Sequence, residues 1–226
     1  MAKDNNVLKD TLTEHVDYKE VDGSIFGSAC EEVVNFSKKV PKKGIWTDLC
    51  SGDGRYTKFL FLEGADYVIA MDIDEPALDK LRQDTAPEYI SQLKTIKHDV
   101  TKRFPLEDGS IDGFFSSGSL HLFTKEILRD ITDEVYRTLK SGGDVVFDFT
   151  INPIRKQPGG ELLFYKDEPR YTRPEAEEYL TELFGGKYQI KELLVSHYSD
   201  PKGTFRKSDI PYNLECDGIS IHAKKI

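Results

Sequence analysis

The sequence is short of the residues that staple or anchor a chain. Only three of its 226 residues are cysteine, Cys30, Cys50 and Cys216, and no two form a CxxC pair. An odd, scattered set is neither a disulfide framework nor a zinc site, and it suits a reducing compartment. No metal site is expected. No apolar run approaches the roughly 18 residues a membrane span needs. The opening Met-Ala-Lys-Asp-Asn-Asn does not read as a signal peptide. A soluble, cytoplasmic protein is therefore expected, with no membrane partner. Basic excess is also missing, since 31 Lys and Arg stand against 40 Asp and Glu, a net charge of −9. That balance argues against bulk nucleic acid as a partner, though a global sum can hide a local patch.

What is present is enough for a core. The length suits one domain, and a folded chain of this size hides roughly 70% of its unfolded surface. Hydrophobic residues make up 38%, with 11 Tyr and 13 Phe. The charged 31% is mixed in sign, which separates the chain from disordered sequences.

Apolar stretches and helical periods alternate along the chain. A helix is expected over Ala29–Lys38, closed by a basic turn at 37–44. Strands are expected from Ile45, over Tyr67–Met71, Leu93–His98, Ile111–Ser116 and Val145–Phe149. Tyr56, Phe59 and Leu60 mark one helix face, and Pro76 to Leu81 opens another helix. Ile127, Ile131, Val135 and Leu139 place a helix over about 125–140, stopped by Ser141-Gly142-Gly143. A further helix is expected near Arg173–Phe184. Two tail strands, Gln189–Ser196 and Gly218–Ala223, have no helix between them and should pair antiparallel at an edge. This is an α/β pattern with a mostly parallel sheet and helices on both faces.

In open α/β sheets, ligands bind beyond the carboxyl ends of the strands. Past the first strand lies Asp48-Leu49-Cys50-Ser51-Gly52-Asp53-Gly54, leading into a helix. Its glycines allow close backbone approach, and a helix N-terminus offers free N–H groups. Asp72 ends the second strand, 20 positions after Gly52, a spacing that suits ribose hydroxyls. Asp99 follows the third strand, and Ser116, Ser117 and Gly118 end the fourth. The set suggests an adenosine-bearing ligand. NAD fits poorly, because the third glycine of G-x-G-x-x-G is Thr57 here and Asp48 would oppose a pyrophosphate. A ligand with ammonium and sulfonium groups suits Asp48 better.

The stretch from about Ile45 to Thr150 resembles the class I S-adenosylmethionine (SAM)-dependent methyltransferases. The resemblance rests on five segments in order. They are Asp48–Arg55, Val68–Asp74, His98-Asp99-Val100, Phe104–Asp112 and Leu139-Lys140-Ser141-Gly142-Gly143. Cys50 departs from the pattern, standing where the family's first loop glycine usually does. Ser141 replaces the usual proline.

The resemblance implies a doubly wound, mostly parallel seven-stranded sheet with helices on both faces and an antiparallel edge strand. It implies one methyltransferase domain over 1–226, divided into an N-terminal helical cap segment (1–40), a SAM-binding half (41–150) and a substrate-side half (151–226). SAM would be the methyl donor and S-adenosylhomocysteine the product. Asp48 with the loop at Ser51, Gly52, Asp53 and Gly54 would hold the methionine part. Asp53 is expected to act through its backbone or to be a solvated loop residue. Asp72 would bind the ribose hydroxyls, with Ile73 against adenine. Asp99 would take the adenine amino group, or simply serve the turn at Thr101, and Val100 would pack on the ring. A carbonyl at Ser116 or Ser117 would meet the methionine ammonium. His121 is the candidate general base, with a packing role as the alternative. Tyr18 and His15, in a segment expected to fold over the site, could touch substrate. Phe164, Tyr165 and Tyr171 are expected in a loop that could line the pocket. A small-molecule acceptor is favoured, with RNA or protein acceptors, a non-catalytic SAM-binding module and a dehydrogenase as competing readings. The oligomer is expected to be a monomer or homodimer.

Overall fold

The computed structural model describes residues 7–8, 23–165, 168–200 and 212–226. Tyr18 and His15 lie outside them. Nine strands occur among the described residues: β1 (Val7–Leu8), β2 (Ile45–Leu49), β3 (Tyr67–Asp72), β4 (Leu93–Lys97), β5 (Ile111–Ser116), β6 (Leu139–Lys156), β7 (Leu162–Tyr165), β8 (Tyr188–Asp200) and β9 (Asn213–Lys225). Five helices accompany them: α1 (Glu31–Ser37), α2 (Thr57–Leu62), α3 (Glu75–Asp84), α4 (Lys125–Thr138) and α5 (Arg173–Phe184). No helix among the described residues is long and apolar enough to cross a membrane.

The main sheet runs β4-β3-β2-β5-β6-β9-β8. Its first five strands are parallel, whereas β9 is antiparallel to both β6 and β8. This is the expected seven-stranded sheet with an antiparallel edge. Two short strands extend it: β7 pairs with the far end of β6, and β1 pairs with β7. Val7–Leu8 is thus a strand inside the segment expected to be a helical cap.

The expected periodicities hold, with three differences. Helix α4 ends at Thr138, not at the glycine pair, because Leu139 already adopts extended backbone and pairs with Ile111. Gly142, at φ +75°, turns the chain within the run that continues as β6. Strand β6 runs on to Lys156, and β8 and β9 are both 13 residues long, far past their apolar centres. Ladder pairing between them satisfies backbone groups that side-chain pattern alone does not reveal. In the basic turn, Lys42 is buried. Its ammonium donates to the Ser37 and Val40 carbonyls (both 2.7 Å) and pairs with Glu63.

Period-two alternation divides the core. Leu49, Ile69, Met71, Phe114, Val145, Phe147 and Phe149 pack on the side of α4 and α5. Trp46, Val68, Phe115 and Val146 pack against α1 and α2, and Ala70 packs against α3. Asp48, Asp72 and Asp148 each stand two residues beyond one of this second group (Trp46, Ala70 and Val146). Three carboxylates therefore emerge on one face, Asp48 and Asp72 near the carboxyl ends of their strands and Asp148 within β6, next to the residue level with the end of β5.

Candidate functional site

The loop after β2 is shaped by positive φ angles at Cys50 (+55°), Gly52 (+55°) and Gly54 (+86°). They hold the chain out of a helix until Thr57, so the loop rather than a helix end borders the cavity at Cys50, Ser51 and Gly52. A Cβ on Gly52 would lie 2.7 Å from the Phe26 ring, and one on Gly54 2.2 Å from Leu81. Thr57, at the missing third glycine, donates its hydroxyl to Asp48 Oδ2 at 2.6 Å. Cys50 takes the left-handed backbone that a glycine adopts freely, so the path survives at a cost of about 1–2 kcal/mol. Its thiol, raised far above its ordinary value by burial, is inert. Cys50→Gly should leave denaturant stability level or raise it by up to about 1 kcal/mol, strain relief offsetting glycine's extra chain entropy. Cys50→Val should lower it by about 1–2 kcal/mol, since a β-branched residue fits this region worst. Urea melts check the order, and Val above Cys would contradict the strained path.

One cavity of about 550 Å³ opens over these strand ends. One half is walled by Cys50, Ser51, Gly52, Asp72, Ile73, Asp99 and Val100. Asp72 accepts the Gly52 N–H at Oδ2 (2.7 Å) and the Asp74 N–H at Oδ1 (2.9 Å), which fixes the carboxylate at the rim. Asp99 accepts both the amide and the hydroxyl of Thr101 at Oδ1 (3.0 and 2.7 Å). That hydroxyl holds its carboxyl below the usual range. The turn role and a place on the wall thus coexist. Ile73 is 49% exposed although it lines the cavity, and Val100 beside it is buried. Ser51 Oγ is buried without a hydrogen-bond partner.

Two sequence-derived residues behave differently. Asp53 is neither solvated nor on the cavity wall. Its carboxylate accepts the Ser24 hydroxyl and the Ile25 N–H, both at 2.7 Å. Arg55, between Phe26 and Tyr56, donates to the Phe26 carbonyl (2.8 Å) and holds the same segment. Together they fasten residues 24–26 over the glycine loop, and Phe26 and Cys30 become part of the wall. Ser116 is fully buried and donates to the Leu49 carbonyl at 2.8 Å, whereas Ser117 lines the cavity.

Asp48 is buried, and desolvation, the largest cause, pushes its carboxyl up to about 7, with Asp72 nearby acting in the same direction. The Thr57 hydrogen bond and Arg55 oppose the rise. The unfolded state gives up this proton near pH 4, while the folded state keeps it until about 7. Folded stability therefore falls as pH rises through that window, by on the order of 4 kcal/mol from this group. Asp48→Asn should melt higher than the parent at pH 8, with a clearly smaller gain at pH 5. A gain independent of pH, measured by thermal melts, would show that burial does not strain this carboxylate.

The other half of the cavity is walled by Ser117, His121, Asp148, Arg155, Glu168, Ser196, Tyr198, Tyr212 and Cys216. Arg155 and Glu168 form a two-pronged pair at 2.7 and 2.8 Å, with almost no exposure on either side chain. His121 Nε2 lies 3.9 Å from Glu168, and the buried Nδ1 has no partner. Burial, helped by the charge of Arg155, lowers its pKa to about 3, so the ring is neutral. Phe164 sits in β7 under Arg170, not in a loop. Tyr171 lines a small hollow behind His121 rather than the main cavity. Sequence reasoning missed Asp148, Arg155 and Glu168. Asp148 carried a readable signal, a charged residue inside the apolar run Val145–Phe149 of a central strand. Among the described residues, no group of three His, Cys, Asp or Glu side chains could hold a metal ion.

Residues 47–143 match the model of a methyltransferase-domain family. No curated protein matches the sequence. Solved structures with the same fold include a SAM-dependent methyltransferase from Methanosarcina mazei, 17% identical over 88% of this chain and 99% of that one, TM-score 0.63. Another, a candidate RNA methyltransferase from Pyrococcus horikoshii, is 14% identical over 86% and 83%, TM-score 0.60. A third belongs to the conversion of a disulfide bond into a thioacetal group during echinomycin biosynthesis. It is 14% identical over 89% and 88%, TM-score 0.61. The chain has the class I methyltransferase fold. Residues 47–143 thus carry the match to a methyltransferase domain, on the fold shared with those structures.

Proposed function

We propose that this enzyme methylates a small molecule, which binds in the half of the cavity walled by β6, β8 and β9. The observation that carries this reading is the continuity of one cavity of about 550 Å³ from the loop and Asp72 to a second wall with hydroxyl and aromatic side chains, among them Ser117, Ser196, Tyr198 and Tyr212. Asp72, held at the rim by its amide donors, takes the two ribose hydroxyls. Ile73 and Val100 hold adenine between them, and the second oxygen of Asp99 accepts its amino group. Ser51 Oγ gains the partner it lacks. Asp48, the loop at Ser51 and Gly52, and the Ser117 carbonyl receive the methionine end, with Gly54 shaping the loop and Ser116 behind it as a support. Asp53 contributes by fastening residues 24–26.

SAM supplies a methyl group already activated on sulfur. The chain's part is alignment and exclusion of water, the main needs of a direct displacement. His121 reads better as a neutral hydrogen-bond acceptor than as a general base, because Arg155 and burial both oppose its taking a proton. The net charge of −9 and the buried Arg155–Glu168 pair give an RNA backbone little to bind. In this reading 41–150 is the SAM-binding half and 151–226 the substrate-side half, with Ser117, His121 and Asp148 of the first half also reaching the acceptor wall. A cytoplasmic location and a monomeric or homodimeric state complete the reading. Labelled SAM tests it. Label should pass to members of a small-molecule library, and transfer to bulk RNA or protein alone would overturn it.

A further inference from the structure

Asp148 has no part in the site as the sequence described it. It stands in the middle of the acceptor-side wall, 8% exposed, on the face of β6 shared with Val146. Among the described residues its oxygens accept only from hydroxyls, Ser117 at 3.2 Å and Ser220 at 3.3 Å. Arg55, the cation that acts on it, is engaged elsewhere, as is Arg155 further along the same wall. Arg55 donates to the Phe26 carbonyl, and Arg155 is clasped by Glu168. Burial raises the Asp148 carboxyl to about 6, against the pull of both serines and Arg55. A buried carboxylate with only neutral donors is costly, and a cationic ligand relieves it.

A second observation points the same way. His121 Nδ1 is buried on the same cavity's wall without a donor. Its Nε2 lies 3.9 Å from the Glu168 carboxylate, which favours a proton on Nε2 and an accepting Nδ1. The wall thus presents one unmet acceptor and one carboxylate held by neutral donors. Tyr198 and Tyr212 stand on it as aromatic surface of the kind that accommodates an organic cation.

We infer that the methyl acceptor is a small molecule bearing a basic amine, which Asp148 holds beside the methyl group. The inference rests on the methyltransferase reading above and names its substrate class. The amine arrives as an ammonium and gives one proton to the Asp148 carboxylate. Its freed lone pair takes the methyl group. The carbon–sulfur bond breaks with its electron pair left on sulfur, giving S-adenosylhomocysteine and an N-methylammonium product. Asp148 then releases its proton to solvent.

The test uses the full chain saturated with S-adenosylhomocysteine, so that the cofactor half is filled. Benzylamine, benzyl alcohol and benzoate are titrated in turn and followed by NMR. Benzylamine should bind at least 10-fold more tightly than the other two. Asp148→Asn should remove that preference while changing S-adenosylhomocysteine affinity by less than 3-fold. Asp148→Glu, which keeps the charge, should retain part of it. Benzoate or benzyl alcohol binding as well as benzylamine would overturn the inference, as would an unchanged preference in Asp148→Asn. A large loss of S-adenosylhomocysteine affinity in Asp148→Asn would assign the carboxylate to the cofactor instead. Failure of the unaltered chain to bind S-adenosylhomocysteine would overturn the underlying reading, a separate outcome.

Discussion

Asp72→Ala should weaken SAM binding by at least 100-fold while leaving the fold intact. The substitution removes two charge-assisted hydrogen bonds to the ribose, each worth about 1.5–3 kcal/mol in a partly buried setting. It also frees the Gly52 and Asp74 amides that the carboxylate now fixes, so the glycine loop loses its tie to the end of β3. Asp72→Asn separates the two effects. It keeps an acceptor oxygen but introduces an NH₂ group facing one of the two amides, and should fall between the parent and alanine. Calorimetric titration reads the affinities, and circular dichroism checks the fold. Unchanged affinity in Asp72→Ala would place the ribose elsewhere.

Arg155→Met should have the largest effect on stability. It leaves Glu168, whose side chain is wholly buried, without its two-pronged partner. Breaking a buried ion pair from one side costs about 3–5 kcal/mol, because the remaining charge stays desolvated. For a chain of this size each kcal/mol lowers the melting temperature by about 2–4 °C, so a fall of about 6–20 °C is expected. The double variant Arg155→Met, Glu168→Leu should recover much of the loss, since no charge is then stranded. Recovery absent, or a single variant as stable as the parent, would show that the pair is solvated. His121 supplies an independent readout. Without the guanidinium nearby, and with Glu168 unpaired, its ring should titrate higher, which NMR follows directly.

The two halves of the cavity were unequally legible. Period-two alternation and turn residues marked β2 to β5 because those strands are short and, apart from the edge strand β4, central and largely buried. The acids at their ends follow from the same rule, and Asp48, Asp72 and Asp99 all line the cavity. Cys50 broke the glycine pattern without breaking the backbone, because the surrounding loop holds a left-handed residue in place. Asp53 misled for the opposite reason. A charged residue between two glycines looks solvated, and only the chain folding back from residue 24 buries it. The acceptor side depends on long-range ladders. Arg155 and Glu168 lie 13 positions apart around β7, with no periodicity to announce them. Their meeting is set by how far β6 runs beyond its apolar centre, which pairing with β9 decides. Asp148 could have been found, since a carboxylate flanked by Phe147 and Phe149 must face either a partner or a cavity.

A structure with S-adenosylhomocysteine bound tests the central claim most directly. The account predicts ribose hydroxyls on the Asp72 carboxylate, adenine between Ile73 and Val100, and the sulfur facing the wall that holds Asp148 and His121. Adenosyl density elsewhere, or NADH binding to a chain that takes up no SAM, would contradict it.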